Sequence, residues 1–552
     1  MPDLYNPVKR TIGDLLSTTS PRIVVSDYQR DFSWTESEAD VFFRDLIAFS
    51  NRYPDKNVDT QEYFLGSMVL VTGGTDHLLL DGQQRLATAT ILLSIIRDHL
   101  NLYDKNAATR LGLKYMYDND DSTGERWYKL TLNRYDAEFF RREIQDGATT
   151  TKLPATLESH RLVLKVRQYF QEKFEEKYKE LGGGKPAFEW SLRIMKVLLN
   201  HMSAVVVSSS DEDNASNVFE TLNDRGISLS TPDLLRNLVL RRAASDAQRE
   251  EIIEAWRTVF EIEEDVKIDD FLRHYWISRN GDIKSRKLYH EMKSVITEQD
   301  IASLPFSQDL ELSSITYRQI VSANDDDPKI REQLIAIKML GGKALLPAVL
   351  SAYAFGDAPA RLDFLRELVS VYVRYAVVSG LELSSLEDVV YALAKDLSGT
   401  GNFLEAKAAL AEIKPTNDAF AKRFATFQIS RRESQRYMLY EIENFERRSA
   451  KKTEELQLAG PDKVHVEHIY AQKPETRLPD HQDLVNRFGN LTLLDAKLNQ
   501  TIQNGLFAAK KPAYDKSEVL LTKQLLGYGD WNRESIEERQ QKLAEKAVAI
   551  WA

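Results

Sequence analysis

The chain contains no cysteine among its 552 residues. This absence excludes disulfide bonds, thiolate zinc sites and a cysteine nucleophile, and it fits a reducing cytoplasm. No apolar run is long enough to cross a bilayer, and the opening MPDLYNPVKRTIGDLL lacks the basic stretch and apolar core of a secretory signal. We therefore expect a cytoplasmic protein that does not enter a membrane.

Two common catalytic motifs are also missing from the sequence. The phosphate loop G-x-x-x-x-G-K-[ST] does not occur, and neither does the zinc motif H-E-x-x-H. Because thiolates are absent as well, we do not expect a zinc site. Any catalytic site must therefore be built from other residue patterns.

Positive charge is scarce, since the net charge is −11. The balance is uneven: residues 411–552 hold 23 Lys and Arg against 21 Asp and Glu, whereas the first 410 residues hold 50 against 63. A DNA-handling surface must be local, and acidic repulsion is weakest in the C-terminal third. The length exceeds that of one ordinary core, and we predict domains at 1–240, 241–420 and 421–552.

Periodicity and turn residues predict an α+β protein that is predominantly helical. Residues 63–80 read as a β-hairpin around TGGTD, and a helical pattern runs from Gln83 to near Leu100. An amphipathic helix is predicted over 155–180 and a short buried strand over 203–209. Almost everything between 240 and 410 has a helical pattern, which makes the middle of the chain a helical domain.

The helix start after the predicted hairpin reads Asp81-Gly82-Gln83-Gln84-Arg85. A helix N-terminus offers unpaired N–H groups and partial positive charge, which favour a phosphate. Gly82 permits close approach of the backbone, Arg85 can pair with phosphate oxygens, and Asp81 can hold a metal or a water. The glutamines add donors and acceptors for a ribose, a base or an attacking water. An ordinary Asp-Gly turn with an exposed arginine is the alternative.

Two further segments combine polar and aromatic residues. One is Tyr28-Gln29-Arg30-Asp31-Phe32-Ser33-Trp34, and the other runs from Val218 to Gly226 through Asn223 and Arg225. Taken alone, each favours a structural explanation, with aromatic anchors in the first segment and a loop in the second.

The patterns Q-R-x-F-x-W, D-G-Q-Q-R-L and F-x-x-L-N-x-R-G-x-x-L-x-x-x-D-L-L-R-N occur in this order between about residues 25 and 240. In this order they resemble the N-terminal domain of GmrSD-type modification-dependent (type IV) restriction enzymes. That domain is similar to the ParB/sulfiredoxin-like fold, and D-G-Q-Q-R is its nucleotide-hydrolysis signature. The resemblance implies an NTP site, for ATP or GTP, that is lined by Asp81, Gly82, Gln83, Gln84 and Arg85, with Asp81, Gln84 and Arg85 in catalytic roles.

Further residues can be added to this half of the chain as weaker inferences of our own. The additional nucleotide contacts are Arg30, Asn223 and Arg225. Aromatic faces stack on bases or line apolar cavities, so the segment around Arg30 could also sense a DNA modification. The candidate modification-sensing residues are Tyr28, Gln29, Phe32 and Trp34.

Three of the nine histidines lie near the C-terminal end, at His465, His468 and His481. Residues 464–470 alternate like a strand, 488–494 read as a second strand, and 495–499 lead into a helix. Phosphodiester hydrolysis needs a base that activates water and a cation that stabilises charge on the phosphate.

We assign His468 as the general base, because a neutral imidazole near its ordinary pKa of about 6.5 suffices. The side-chain carbonyl of Asn490 is expected to hold this imidazole in its working tautomer. Asn499, together with Glu467 or His465, is expected to bind Mg²⁺ or Mn²⁺. Two exposed histidines, followed by a turn and a core strand, are the alternative explanation.

This region also resembles a known family, the His-Me finger (HNH) nucleases in the form of the C-terminal GmrSD domain. The matching features are the helix at 431–448, E-H-I at 467–469, G-N-L-T-L-L at 489–494, Leu498-Asn499, Lys510-Lys511, Tyr514, Trp531, Ile536 and Arg539. The sequence departs from the family at Tyr470-Ala471-Gln472, where a proline usually follows the histidine. The resemblance implies a ββα nuclease unit embedded in helices.

Together the two resemblances imply an NTP-dependent, metal-dependent endonuclease that cuts modified double-stranded DNA from phage. Glucosylated hydroxymethylcytosine and phosphorothioate linkages are examples of such modifications in the family. Two alternatives stay open: an RNase or toxin-like nuclease without modification sensing, and a non-catalytic nucleotide-binding recruitment subunit. The sequence leaves room for a homodimer.

Overall fold

The computed structural model describes residues 6–17, 22–26, 29–52, 62–72, 75–120, 123–147, 153–210, 215, 231–355, 358–451, 464–474, 480–502 and 504–552. It is 68% helical and has a small mixed sheet, which confirms the predicted α+β class. The chain divides into two compact units. The N-terminal unit comprises Met1–Arg257 and Ala302–Leu304, and the C-terminal unit comprises Thr258–Ile301 and Pro305–Ala552.

Strands of the N-terminal unit form one mixed sheet and one separate hairpin. They are β1 Asn6–Thr11, β2 Ile23–Val25, β3 Tyr63–Val71, β4 His77–Asp81, β5 Tyr117–Asn119, β6 Arg126–Tyr128, β7 Leu130–Thr131 and β8 Met202–Ser209. The sheet has the order β1-β8-β3-β4-β2-β7, and β5 pairs with β6 as the hairpin. The antiparallel β3–β4 pair confirms the hairpin predicted for residues 63–80.

Strand β2 runs parallel to both of its neighbours, β4 and β7. The carboxyl ends of these three strands therefore meet at one end of the sheet, and their amino ends meet at the opposite end. Asp81 is the last residue of β4, so the predicted nucleotide site lies at the carboxyl ends. Ligand sites in sheets with parallel strands are commonly found there.

Helices form most of the remaining described part of the N-terminal unit. They are α1 Ile12–Leu16, α2 Glu36–Arg52, α3 Gln83–Asn101, α4 Lys105–Tyr115, α5 Ala137–Phe140, α6 Glu158–Glu180, α7 Gly184–Asn200, α8 Thr231–Arg241 and α9 Asp246–Glu261. Helix α3 packs against α4, α6 and α7, and its apolar side chains, such as Leu86 and Ile91, are fully buried. Because residues on all sides of α3 are buried, this helix lies inside the core of the unit rather than on its surface.

The C-terminal unit consists mainly of helices. They are α10 Ile268–Asn280, α11 Leu288–Glu298, α12 Ser303–Ser322, α13 Pro328–Leu340, α14 Leu346–Ala354, α15 Ala358–Tyr372, α16 Leu383–Thr400, α17 Phe403–Ile413, α18 Asn417–Phe424, α19 Arg432–Ser449, α20 His481–Val485, α21 Ala496–Ile502, α22 Phe507–Lys516, α23 Leu520–Lys523 and α24 Arg533–Ile550. The domain boundaries near 240 and 420 stay predictions.

Two short strands near the end of the chain, β9 Val464–His468 and β10 Leu491–Asp495, form an antiparallel pair. Helix α21 follows β10 directly, which gives the order strand, strand, helix. The second strand was predicted to begin at Phe488, but Phe488–Asn490 forms a 3₁₀ turn and the strand begins at Leu491. Phe488, Gly489 and Asn490 are all buried, so the apolar signal came from a packed turn rather than from a strand.

None of the helices in the described ranges is both long enough and apolar enough to span a bilayer.

Candidate functional sites

The turn after β4 joins Asp81 and Arg85 to each other. Gly82 has a φ of 100°, a left-handed conformation that favours glycine, and a Cβ there would lie 2.5 Å from Met68 Cγ. Helix α3 then places Arg85 Nη2 at 3.2 Å from Asp81 Oδ2. Arg85 Nη1 donates to the carbonyl of Leu65 on β3 at 2.8 Å. Burial raises the pKa of Asp81, whereas Arg85 opposes this shift.

The two glutamines of the box contact main chain of the segment at 30–33. Gln84 Nε2 donates to the carbonyl of Asp31 at 3.1 Å, and Gln84 Oε1 accepts from the N–H of Ser33 at 3.0 Å. Gln83 Nε2 donates to the carbonyl of Arg30 at 3.3 Å. The D-G-Q-Q-R and Q-R-x-F-x-W boxes are thus physically joined. The predicted contacts of Gln83 and Gln84 with a nucleotide stay predictions.

An acidic pair that sequence reasoning missed lies beside these glutamines. Asn133 Nδ2, just after β7, donates to Asp31 Oδ1 at 2.8 Å. Asp136 accepts from the N–H of Phe32 at 2.8 Å and from the hydroxyl of Ser159 at 2.6 Å. Burial, with the nearby charge of Asp31, raises the pKa of Asp136 to about 7. The sequence signal for Asp136 was weak: it lies in a short polar turn that begins at Asn133, just after the two-residue strand β7.

A small cavity lies under the same segment. Its lining includes Arg30, Phe32, Gln83 and Asp136, and its volume is about 10 Å³. This volume holds about one water and is far below the several hundred Å³ of a typical ligand site. A nucleotide would therefore have to contact the exposed side of the turn, where Asp81 and Arg85 keep 14% and 18% of their side-chain surface.

The remaining predicted residues of this half fall into two groups. Tyr28, Asn223 and Arg225 lie outside the described residues. Gln29 and Phe32 are buried, each with 4% exposure, and Trp34 packs edge-on against Phe42 in the core. Arg30 lies 3.7 Å from Asp233 on α8. The rings of Phe32 and Trp34 thus contribute to the core, and their predicted role in sensing a modification stays a prediction.

In the C-terminal unit, His468 is the last residue of β9 and is partly buried. Its Nε2 lies 3.2 Å from Gln472 Nε2, and the side chain of Asn486 is also hydrogen-bonded to the ring. Burial lowers the pKa of His468 to about 4, and the hydrogen bond with Asn486 opposes this shift. The imidazole is therefore neutral at physiological pH.

Asn490 is fully buried and contacts the loop after His468 rather than the imidazole itself. Its Oδ1 accepts from the N–H of Tyr470 at 2.7 Å and from Trp531 Nε1 at 2.9 Å. Its Nδ2 donates to the carbonyls of Tyr470 and Val485, both at 3.1 Å. The predicted hydrogen bond between Asn490 and the imidazole is wrong, because all of these partners are main chain or tryptophan. Gln472 and Asn486 are the amides that contact the ring.

Glu467 forms a buried ion pair that the sequence did not predict. Its Oε1 lies 2.5 Å from Lys510 Nζ on α22, and Lys510 also donates to the carbonyls of His468 at 2.8 Å and Ile469 at 3.2 Å. Burial raises the pKa of Glu467, against the lowering by Lys510. Glu467 could bind a cation only by exchanging this ammonium group.

His465 and Asn499 are the other predicted cation ligands. Asn499 Nδ2 lies 3.4 Å from His465 Nδ1, so an amide and an imidazole meet between β9 and α21. Within the described part of the chain, no three His, Asp or Glu side chains are placed to hold a metal. The donor set therefore fits a divalent cation only in part, with two neutral ligands and one carboxylate that is already paired.

Helix α24 holds the turn that precedes β10. Arg539 Nη1 donates to the carbonyls of Gly489 at 2.6 Å and Leu491 at 2.7 Å, on either side of Asn490. Gln540 Oε1 accepts from the N–H of Gly489 at 3.1 Å. Burial lowers the pKa of Arg539 to about 10, which keeps its charge at neutral pH. Arg539 and Gln540 on α24 thus hold the turn at Gly489, which lies about 50 residues earlier in the chain.

Two models of known protein families match the chain, and each match includes one of the two candidate sites. The model for the N-terminal domain of the GmrSD restriction endonuclease matches residues 12–240, and the model for the C-terminal domain of GmrSD restriction endonucleases matches residues 414–546. The chain is therefore a restriction nuclease. More particularly, it belongs to the GmrSD family, as the sequence patterns predicted. No curated protein is similar enough to the chain to count as a match.

Proposed function

We propose that this restriction nuclease is a cytoplasmic, NTP-dependent and cation-dependent DNA endonuclease that cuts modified phage DNA. The observation that carries the proposal is the neutral imidazole of His468 at the end of β9, inside the region that matches the C-terminal domain. This ββα arrangement supports the His-Me finger interpretation, and the strand-end turn at Asp81 supports the ParB-like one.

His468 meets one requirement of a general base, because its imidazole is neutral. The expected ordinary pKa of about 6.5 is wrong, since burial lowers the pKa to about 4 and makes the ring a weaker base. A neutral imidazole can accept a proton from the water that attacks the phosphodiester. The amides of Gln472 and Asn486 restrict the ring to one orientation. Because His468 ends its strand, its ring lies at the rim of the small sheet, where a DNA backbone can approach.

The proposal includes Mg²⁺ or Mn²⁺, held by Asn499 and His465, with Glu467 joining if it releases Lys510. Such a cation would stabilise negative charge on the phosphate and on the leaving oxygen. Strand alternation directs His465 and Glu467 to one face of β9 and His468 to the other. The cation ligands and the base can therefore cooperate only around the end of the strand.

The N-terminal unit supports a regulatory role for an NTP. Asp81 and Arg85 keep part of their surface exposed at the carboxyl ends of β2, β4 and β7. We expect the NTP to bind there and to change the fraction of molecules that can cut DNA. A homodimer would be compatible with this scheme.

The test measures nicking by the full-length chain in the presence of Mg²⁺. Modified and plain phage DNA are each incubated with and without ATP or GTP, and a parallel series contains EDTA. We expect cutting that requires the cation, prefers one modified DNA and changes with the nucleotide.

Three outcomes would contradict parts of the proposal. Equal rates in all four DNA and nucleotide conditions would refute the coupling between NTP and cleavage. Faster cleavage of RNA than of any DNA in the same buffer would favour a toxin-like RNase. If cutting were undiminished in EDTA, the proposed requirement for a divalent cation would be wrong.

A further inference from the structure

A large cleft in the N-terminal unit lies away from the predicted nucleotide site. It is found at the amino ends of β2, β4 and β7, beside Arg22, Asp76 and Leu130, whereas Asp81 lies at the carboxyl ends. Its volume is about 1060 Å³. This is slightly above the range of about 300–1,000 Å³ for small-molecule and cofactor sites, so the cleft can hold a ligand of nucleotide size.

Aromatic side chains from β6 form part of the cleft wall. Trp127 and Tyr128 both line the cleft and are partly exposed. The Lys129 ammonium lies 4.2 Å from the centre of the Trp127 ring, and the Tyr128 hydroxyl donates to Asp146 at 2.5 Å. These contacts fix both rings in place. A fixed ring is a good platform for stacking a planar group.

The charges of the cleft are balanced rather than positive. Three arginines and four carboxylates line it, and Arg22 lies 3.0 Å from Asp76 while Arg141 lies 3.8 Å from Glu138. A groove that follows a phosphate backbone would carry an excess of cations. This cleft instead suits an uncharged group with both donors and acceptors at its edge.

A π-helical turn, Arg141–Gln145, supplies another part of the wall. Such turns frequently occur at functional sites. The Nε of Arg141 is buried and has no hydrogen-bond partner among the described residues. The Arg141 side chain as a whole is 41% exposed, so its outer N–H groups can donate to a ligand acceptor beside the carboxylates.

We propose that this cleft binds a single nucleobase. The base would stack on Trp127, accept a hydrogen bond from Arg141, and donate its exocyclic amine to Asp76 or Glu138. Two sources share this chemistry: a base turned out of the DNA duplex, and the base of a free nucleotide. The DNA source rests on the proposed function, whereas binding of a base to the cleft does not require cleavage.

The first arm measures binding of free nucleosides to the full-length chain by calorimetry. Adenosine, guanosine and cytidine carry an exocyclic amine and should bind more tightly than uridine, which has none. Trp127→Ala should weaken binding about 10-fold or more, because stacking is lost. Phe64→Ala is the matched control, since Phe64 is an aromatic residue of the same unit that is 57% exposed and does not line the cleft.

The second arm uses DNA duplexes that contain 2-aminopurine beside each candidate modified base. The fluorescence of 2-aminopurine rises when the stack opens, and it should rise on binding of the wild type. Arg141→Ala should abolish this rise, whereas Arg110→Ala, an arginine of α4 that is 71% exposed, should not. A rise that depends on Trp127 and Arg141 identifies DNA as the source.

Nucleoside binding that depends on Trp127, without a change in 2-aminopurine fluorescence, identifies a free nucleotide as the source. If neither signal depends on Trp127 and Arg141, the cleft does not bind a base and the inference is overturned. Trp127→Phe keeps a ring and should retain most binding, which separates stacking from loss of folding.

Cleavage by the wild type is recorded in the same samples. Normal cutting together with binding signals that do not depend on Trp127 and Arg141 would overturn this inference alone. Nucleoside binding that depends on Trp127, without any cutting, would overturn the proposed nuclease alone.

Discussion

At the carboxyl ends of β2, β4 and β7 the charged side chains neutralise one another, whereas the end of β9 presents an imidazole whose contacts are neutral amides. Asp81 pairs with Arg85, and Arg30 faces Asp233. His468, by contrast, lies beside Gln472 and Asn486. The first arrangement suits a position that must hold its shape, because its opposite charges lie close to each other. The second suits proton transfer, since a neutral ring can still accept a proton.

The two regions also differ in how their loops are held. In the N-terminal unit, Gln84 holds the main chain of the segment around Arg30 while keeping 9% exposure. In the C-terminal unit, Asn490 holds the loop after His468 with no exposure at all. The difference indicates that the position of the imidazole depends on deeper packing than the position of the nucleotide box.

The largest effect is expected for His468→Ala. Removal of a general base typically lowers the rate at least 100-fold, and the fold should persist because His468 is only partly buried. Single-turnover cleavage and protection against phage measure the effect, with the exposed His290→Ala as the control. If phage protection survives in His468→Ala, the chain acts as a recruitment subunit. The end of β9 would then not be a site of proton transfer.

The next largest effect is expected for Lys510→Met. This change leaves the buried Glu467 carboxylate without its cation, which costs about 3–5 kcal/mol of unfolding free energy. Urea unfolding of the full chain provides the measurement, and the neighbouring Lys511→Met is the control. The double variant Lys510→Met with Glu467→Gln should recover part of the loss. A double variant no more stable than Lys510→Met would show that the pair itself is not the source of stability.

Asn490→Ala should have a smaller effect, about 3 kcal/mol, because buried main-chain groups of Tyr470 and Val485 lose their partners. Gln84→Ala should cost only about 1 kcal/mol, since its partners lie nearer to solvent. Thermal and urea unfolding compare the two variants. If both variants lost the same free energy of unfolding, the deeper burial of Asn490 would have no energetic consequence.

Local patterns were sufficient to predict several elements. The hairpin around residues 63–80 and the helix after Gly82 followed from turn residues and periodicity, and both are present. The strand that ends at His468 was predicted from alternation. In each case the signal lies within about 20 residues, where propensity and pattern act directly.

Contacts between distant residues could not be predicted in this way. Glu467 forms an ion pair with Lys510, which lies 43 positions later in the chain. Asp136 accepts a hydrogen bond from the N–H of Phe32, 104 positions earlier. The predicted partner of Asn490 was wrong, since only tertiary packing brings Trp531 Nε1 within 2.9 Å of its side-chain oxygen. Local sequence patterns therefore carried no information about these long-range contacts.

The remaining prediction concerns the pH dependence of stability and the acidic pair Asp31 and Asp136 beside the nucleotide box. The pKa of Asp136 is about 7 in the fold, against an ordinary value of 3.8. Between these values the folded chain keeps a proton that the unfolded chain releases, so raising the pH lowers the free energy of unfolding, by at most about 1.4 kcal/mol per pH unit. The contribution of Asp136 is therefore fully present below pH 3.8 and is lost as the pH rises through 7.

Urea unfolding between pH 5 and 8 measures this slope. Asp136→Asn carries no titratable proton and should flatten the curve, whereas the more exposed Asp104→Asn should leave the slope unchanged. Equal slopes in wild type and Asp136→Asn would mean that Asp136 is charged throughout this range. The acidic cluster at the strand ends would then carry the charge of Asp136 throughout this range, in contrast to the neutral imidazole of His468 at the end of β9.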